Sequence, residues 1–262
     1  QANLRASFTQ TLARPNMREV APFGSFGFVG EPIVIGNPNL NQSLITNYDL
    51  RYEYFPARGG EVIAVSAFYK DFRDPIVVTF RQAGDQQFTW TNSESASLYG
   101  IELEFKKNLD ILGAAFENFT FGSNFAYIQS EQEIDEEEYE IGIEIDPDFQ
   151  RVRRFNGQSD FIANANLSYL SKTGWDAILA YNYFGDRLKS IGAAGSPDIF
   201  ERGRSQLDAS VSKTFNRIKL TARARNLLNP RYENFSEFKG EEYIFSSYDR
   251  GRDFSMSLSY KF

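Results

Sequence analysis

The chain has 262 residues, a formal net charge of -7 at pH 7, and neither Cys nor His. Without His, Ser–His catalysis and His-ligated metal sites are excluded within these residues, and the acidic balance argues against nucleic acid as a partner. No stretch approaches the roughly 20 apolar residues of a membrane helix, although aromatics reach 16%, with 25 Phe and 14 Tyr.

A chain rich in aromatics yet with a mean hydropathy of -0.43 carries the signature of a membrane β-barrel. Such a barrel has a polar lumen face, an apolar lipid face and aromatic girdles at both interfaces. A soluble sandwich or propeller is the rival reading, since it too has many short alternating strands. Absence of Cys suits an outer membrane that borders an oxidising periplasm. Gln1 opens directly into a strand-like segment with no signal peptide before it, so the front of an exported protein is expected to be missing or removed.

Ala2 to Leu12 alternates Leu4, Ala6 and Phe8 against Arg5, Ser7 and Thr9, the pattern of a strand with one wet and one greasy face. A segment rich in Gly, Pro and Asn runs from Arg14 to Ile45. Thr46 to Phe55 is the second strand, with Tyr48, Leu50, Tyr52 and Tyr54 aligned, and a tight turn at Pro56–Gly60 leads into Glu61–Phe72. Arg73 to Ser95 is long enough to hold short strands of its own. Ala96–Lys106 aligns Tyr99, Ile101, Leu103 and Phe105, and Asn118–Ser130 aligns Phe119, Phe121, Phe125 and Tyr127.

Glu131 to Asp160 begins with an acidic run that reaches Asp148 and then turns basic at Arg151, Arg153 and Arg154. Carboxylates suit Ca²⁺, but the run lacks the Gly and ordered Asp/Asn positions of an EF-hand, so a solvated, mobile loop is expected. Phe161–Leu170 and Trp175–Phe184 flank a hairpin turn at Ser171–Gly174. After Gly185–Ser205 come Gln206–Phe215, a turn at Asn216-Arg217, and Ile218–Asn226. The closing strand Arg252–Phe262 sets Phe254, Met256, Leu258, Tyr260 and Phe262 against Asp253, Ser255, Ser257, Ser259 and Lys261.

The connections alternate long, short, long, short between about ten strands, as in transmembrane barrels with short periplasmic turns and long external loops. With the C-terminus on the periplasmic side, every short turn falls on that side and every long segment falls outside. A soluble sandwich has no reason to sort its loops by parity.

Several stretches carry a family likeness. TLARPNMREVAPF (Thr11 to Phe23), GNPNL (Gly36 to Leu40), NYDLRYEYF (Asn47 to Phe55), YGIELEF (Tyr99 to Phe105), ARNLLN (Ala224 to Asn229) and GRDFSMSLSYKF (Gly251 to Phe262) resemble, in order, the C-terminal half of TonB-dependent outer-membrane receptors. The resemblance implies an all-β fold: a transmembrane antiparallel β-barrel of which residues 1–262 supply about ten C-terminal strands out of about 22. It also implies a plug domain and N-terminal strands, absent from this sequence, that are supplied by the same or a separate chain. Ten strands of so wide a barrel leave two unpaired edges, where each unsatisfied backbone group in lipid costs several kcal/mol, so a partner is required. A self-closed barrel of about ten strands is the bland alternative.

The implied function is active uptake of a scarce solute (siderophore, cobalamin, oligosaccharide or peptide) across a Gram-negative outer membrane, driven by the TonB complex through the plug. Such transport breaks no covalent bond, so no catalytic residue and no cofactor is expected. A receptor-like barrel that serves as a structural subunit of a larger complex is the alternative function. Leu258, Tyr260 and Phe262 resemble the signal read by the barrel-assembly machinery, and they also suit an interfacial girdle. Arg51, Glu53, Glu102, Glu104, Asp208, Lys219, Arg223 and Arg225 fall on the polar, lumen-facing set. Trp90, Arg151, Arg153, Arg154, Tyr243 and Tyr248, with Phe26, Phe28 and Phe235, fall in long segments at the outer mouth, where substrate or lipopolysaccharide would meet them.

Overall fold

The structure, a computed structural model, describes residues 1–25, 32–56, 60–81, 87–145, 147, 149–192 and 196–262, with the side chains of Arg81 and Glu137 undescribed. Phe26, Phe28, most of the Pro56–Gly60 turn, Asp146 and Asp148 lie outside the described residues. Ten strands form one antiparallel meander: Ala2–Ala13, Ser43–Tyr54, Val62–Arg73, Ser95–Asn108, Phe119–Glu133, Phe161–Leu170, Trp175–Phe184, Arg204–Phe215, Ile218–Arg225 and Asp253–Tyr260. Each pairs with its predecessor and successor among these ten, and the short strand Val152–Arg153 extends the pairing of Phe119–Glu133. The ordering is open: Ala2–Ala13 and Asp253–Tyr260 each have one neighbour in the sheet.

The register keeps parity from end to end. Ala6, Leu50, Ala67, Ile101, Tyr127 and Phe161 form one continuous cross-strand row. Phe121, Leu167, Leu179, Ala209, Ala224 and Phe254 form another. A slip of one residue in any pair would send that strand's apolar set to the opposite side, so this agreement is a strong constraint on the pairing. The apolar rows are not buried: Leu4 is 71% and Leu258 72% exposed. An apolar surface of this extent has to be covered by something outside the chain.

Phe68 departs from the pattern, standing on the polar face opposite Gly100. A Cβ at Gly100 would lie 2.8 Å from the Phe68 ring and 2.6 Å from the Tyr127 carbonyl oxygen, so the glycine leaves the space the ring occupies. On the same face, a Cβ at Gly122 would meet Asn166 Nδ2 at 2.9 Å.

The short connections lie at one end of the wall. Asn216 and Gly174 have positive φ, of 49° and 88°, as tight turns demand. At the other end the long segments do not stay irregular. They build a second, eight-stranded sheet from Gly24–Ser25, Ile33–Ile35, Ile76–Arg81, Gln87–Asn92, Arg187–Gly192, Ile199–Glu201, Arg231–Phe238 and Glu241–Asp249. Parallel pairings join different loops: Ile191 and Gly192 with Thr79 and Phe80, and Ile33 and Val34 with Gln87 and Phe88. This cap has its own core of Val77, Leu188 and Ile191, with Phe155 and Phe200 packed against it.

The acidic run departs from the expected mobile loop: Glu136–Ile145 is an α-helix. Asp135 accepts from the Glu138 backbone N–H at 2.8 Å, and the glutamates of the first turn are favoured by the helix dipole.

Leu179 and Ala180 are adjacent but face opposite sides. Leu179→Arg is expected to cost about 2–4 kcal/mol in bilayers, while Ala180→Arg, which stands opposite Asp208, is expected to be tolerated. Urea unfolding in lipid vesicles measures both.

Candidate binding surfaces on the polar wall face and the cap

The polar set of the wall converges on Arg51. Its guanidinium donates to Glu53 Oε1 at 2.9 Å, Ser66 Oγ at 3.0 Å and Glu104 Oε2 on a third strand. Arg5 adds an ion pair to Glu53 at 3.2 Å, so four strands share one charge cluster. Glu102 lies on the same face, between Ser66 and Ala126. The fork of Arg51 fits this work, since guanidinium presents several fixed donors to separate carboxylates.

Farther round the wall, Asn164 Nδ2 donates to Asn124 Oδ1 at 2.6 Å, and Asn182 Nδ2 donates to Asn164 Oδ1. This amide ladder across three strands was not among the residues singled out from sequence. Alternation places each Asn on the polar side, but only the register brings the three into one row. Asp208 accepts from Gln206 at 3.0 Å and from the Asn226 backbone N–H at 2.8 Å, so it anchors the start of a long loop. Lys219 reaches Asp176 at 3.6 Å. Arg223 stands between Ser210 and Ser255, and Arg225 opposite Asp253. The sheet thus aligns the eight lumen candidates on one face but divides them between separate clusters.

The outer-mouth candidates separate further. Trp90 lies in the cap strand Gln87–Asn92, where its carbonyl accepts from Asn37 Nδ2 at 3.0 Å. Arg151 pairs with Glu136 at 2.7 Å and lies 4.0 Å over the Tyr139 ring. Arg153, with its side chain 7% exposed, bridges Glu138 and Asp198 and so ties the acidic helix to the cap. Arg154 pairs with Asp160 at 3.1 Å. These arginines meet carboxylates of their own chain. Tyr243 and Tyr248 stay exposed on the edge strand Glu241–Asp249, with Tyr248 stacked on Tyr232 at 5.2 Å. Phe235, in contrast, is 2% exposed and belongs to the cap interior rather than to an open mouth.

Sequence reading also missed Arg202, the hub of the cap. It bonds Glu233 and Glu242, reaches Asp186 at 3.5 Å, and lies 3.9 Å from the Phe235 ring centroid. Nothing in the local sequence marks it, because its partners come from three separate stretches. Glu201 accepts from both Arg187 and Arg204. Among the described residues no group of three or more Asp, Glu, His or Cys converges as a metal site would require. At the far end of the wall, Leu258 and Tyr260 of the open-edge strand pair with Leu220 and Ile218, and Tyr260 meets Phe262 edge-on at 5.1 Å.

A model of the TonB-dependent receptor-like β-barrel matches residues 1–227. No curated protein matches the chain. Among solved structures, a mutant of the ferric enterobactin receptor PfeA from Pseudomonas aeruginosa, in complex with enterobactin, superposes with a TM-score of 0.59 at 16% identity, over 99% of this chain and 38% of that one. The copper transporter OprC gives 0.61 at 16% identity, over 100% of this chain and 37% of that one. The ferric yersiniabactin uptake receptor FyuA from Yersinia pestis gives 0.61 at 16%, over 100% and 35%. The chain therefore spans little more than a third of these relatives, and at such identity they speak for the fold alone.

Arg202→Lys keeps a charge but loses the fork. It is expected to release the hairpin Arg231–Asp249, read as faster hydrogen exchange there with unchanged exchange in Trp175–Phe184. Acid should act on the cap in two directions. Burial pushes Glu138 and Asp198 above their ordinary values despite Arg153, so the folded cap gains stability as pH falls toward 4.5. Burial also pushes Glu201 up, but Arg204 and Arg187 outweigh it and hold the carboxyl below 4.5, so that contribution is lost on further acidification. Cap protection, corrected for intrinsic exchange, should therefore pass through a maximum in mild acid.

Proposed function

Since the chain belongs to the TonB-dependent receptor β-barrel family, we propose that it is the C-terminal part of the barrel of an outer-membrane receptor for active uptake of a scarce solute. The observation that carries this reading is the predominantly apolar face shared by ten paired strands, with every long connection at one end. Membership of a receptor family sets the chain apart from enzymes. In this reading the apolar rows meet outer-membrane lipid and the polar rows line the lumen. The two open edges pair with N-terminal strands, because unpaired strand edges are not tolerated in hydrocarbon.

The remaining assignments follow from that frame. The cap faces outward, and the short turns and C-terminus face the periplasm. The Arg51 cluster, the Asn ladder and Arg223 lie where a plug domain would rest, and the TonB complex acts through that plug. Leu258, Tyr260 and Phe262 serve as the assembly signal at the periplasmic end. The exposed Tyr243 and Tyr248, rather than the internally paired Arg151, Arg153 and Arg154, are the mouth groups best placed to meet a ligand. The solved neighbours are receptors for ferric enterobactin and ferric yersiniabactin and a copper transporter. A metal or metal chelate is accordingly the first class to assay.

Uptake of ferric siderophores and of copper by cells carrying the complete gene should fall to background when TonB is deleted. Uptake that is independent of TonB would remove the transport reading in favour of a structural subunit of an outer-membrane complex.

A further inference from the structure

We infer that the apolar face carries a binding site for an anionic phospholipid of the leaflet at the short-turn end; this rests on reading that face as lipid-facing. A trough of about 750 Å³ runs there between bulky flanks. Its floor is Ala177, Ala209, Ala222 and Ala224 with Leu179 and Val211 among them, while Tyr169 on one side and Met256 on the other flank it. The register explains the shape. Tyr169, Ala177, Val211, Ala222 and Met256 make one cross-strand row, so the small residues lie between large ones. The depression covers only two apolar rows on each strand, and it admits a segment of an acyl chain lying against the wall.

The next row toward the short turns, about 7 Å away at two residues per step, is Trp175, Lys213, Leu220 and Leu258. Lys213 puts an ammonium on a face that is otherwise apolar at this level. Its Nζ donates to the Thr173 carbonyl at 2.8 Å and lies 4.8 Å from the Trp175 ring and 5.1 Å from the Phe215 ring. No carboxylate pairs with it among the described residues. Lys107, which shares the apolar-side parity on another strand, is by contrast bound to Glu61 at 2.7 Å. An ammonium has three donors, so two remain for a ligand. Lys172 and Arg217 occupy the adjoining turns and add to the positive field.

The arrangement matches a phospholipid in charge and direction. A phosphate at Lys213 would sit at the level of Trp175 and Phe215, aromatic residues of the kind that mark a headgroup boundary. From there the tail would run up the alanine floor toward the middle of the wall. The cation without a carboxylate partner favours a net-anionic headgroup over a zwitterionic one.

The test uses the complete receptor chain with Trp175 as its sole tryptophan, reconstituted into vesicles containing tail-brominated phosphatidylglycerol or phosphatidylcholine. Bromine quenches tryptophan by contact. The expected result is a relative affinity for phosphatidylglycerol at Trp175 about fivefold above that for phosphatidylcholine, the contribution of one lysine near an anionic headgroup. Lys213→Gln should abolish the preference, Lys213→Arg should keep it, and Ala222→Phe should remove it by filling the floor. Equal quenching by both lipids, or a preference that survives Lys213→Gln, would overturn the site while leaving the lipid-facing reading intact. No quenching by either lipid would mean that protein, such as a second copy of the chain, covers the trough, and would overturn both.

Discussion

Backbone pairing in a single-layer sheet leaves each strand with two faces, and here the two faces answer to different surroundings. Everything else in the wall depends on that division. Because strand side chains alternate, a continuous apolar face requires every one of the nine junctions in the order Ala2–Ala13 through Asp253–Tyr260 to keep parity. The rows Ala6 to Phe161 and Phe121 to Phe254 show that they do. Among the described residues the wall has no second layer behind it, so its stability rests on pairing, on cross-strand contacts such as Phe119 with Tyr169 at 4.8 Å, and on whatever covers the apolar side.

The cap follows a different logic. Its strands come from four separate loops, and its core is small, so charge provides much of the closure. Arg202 and Arg153 each join stretches far apart in sequence, and Glu201 ties Arg187 to Arg204 across one loop. Ion pairs of this kind are worth most where geometry is fixed and water is partly excluded, as at Arg153. The polar wall face is built the same way around Arg51, which suggests a shared principle. Where the chain cannot use packing between layers, it uses forked arginines to hold strands in place.

Legibility in the sequence tracks the range of the determining interaction. Phe161–Leu170 and Trp175–Phe184 are read with their bounds intact, since alternation and a short turn suffice. Ser43–Tyr54 begins earlier than alternation marks, because adjacent Leu44 and Ile45 blur the period and Ser43 is held by a bond to the Asp74 carbonyl at 2.8 Å. The helix Glu136–Ile145 was hidden by its own composition. Ile141, Ile143 and Ile145 repeat every second residue, which reads as strand or loop, while Asp135 as a cap and the run of glutamates favour a helix. The amide ladder and the Arg202 hub depend on pairings between distant stretches, which one sequence does not display.

The central claim is that the two faces of the wall meet different solvents, and these 262 residues contribute no Cys of their own to compete with a placed label. Single cysteines placed one at a time from Trp175 to Phe215 in the complete receptor, spin-labelled and reconstituted in lipid, report collision with oxygen and with a water-soluble nickel chelate. The account predicts that Ala177, Leu179, Tyr181, Leu207, Ala209 and Val211 are oxygen-accessible and shielded from nickel, with Ile178, Ala180, Asp208 and Ser210 reversed. Accessibility that fails to alternate along these two strands, or oxygen-poor apolar positions packed against protein, would contradict it.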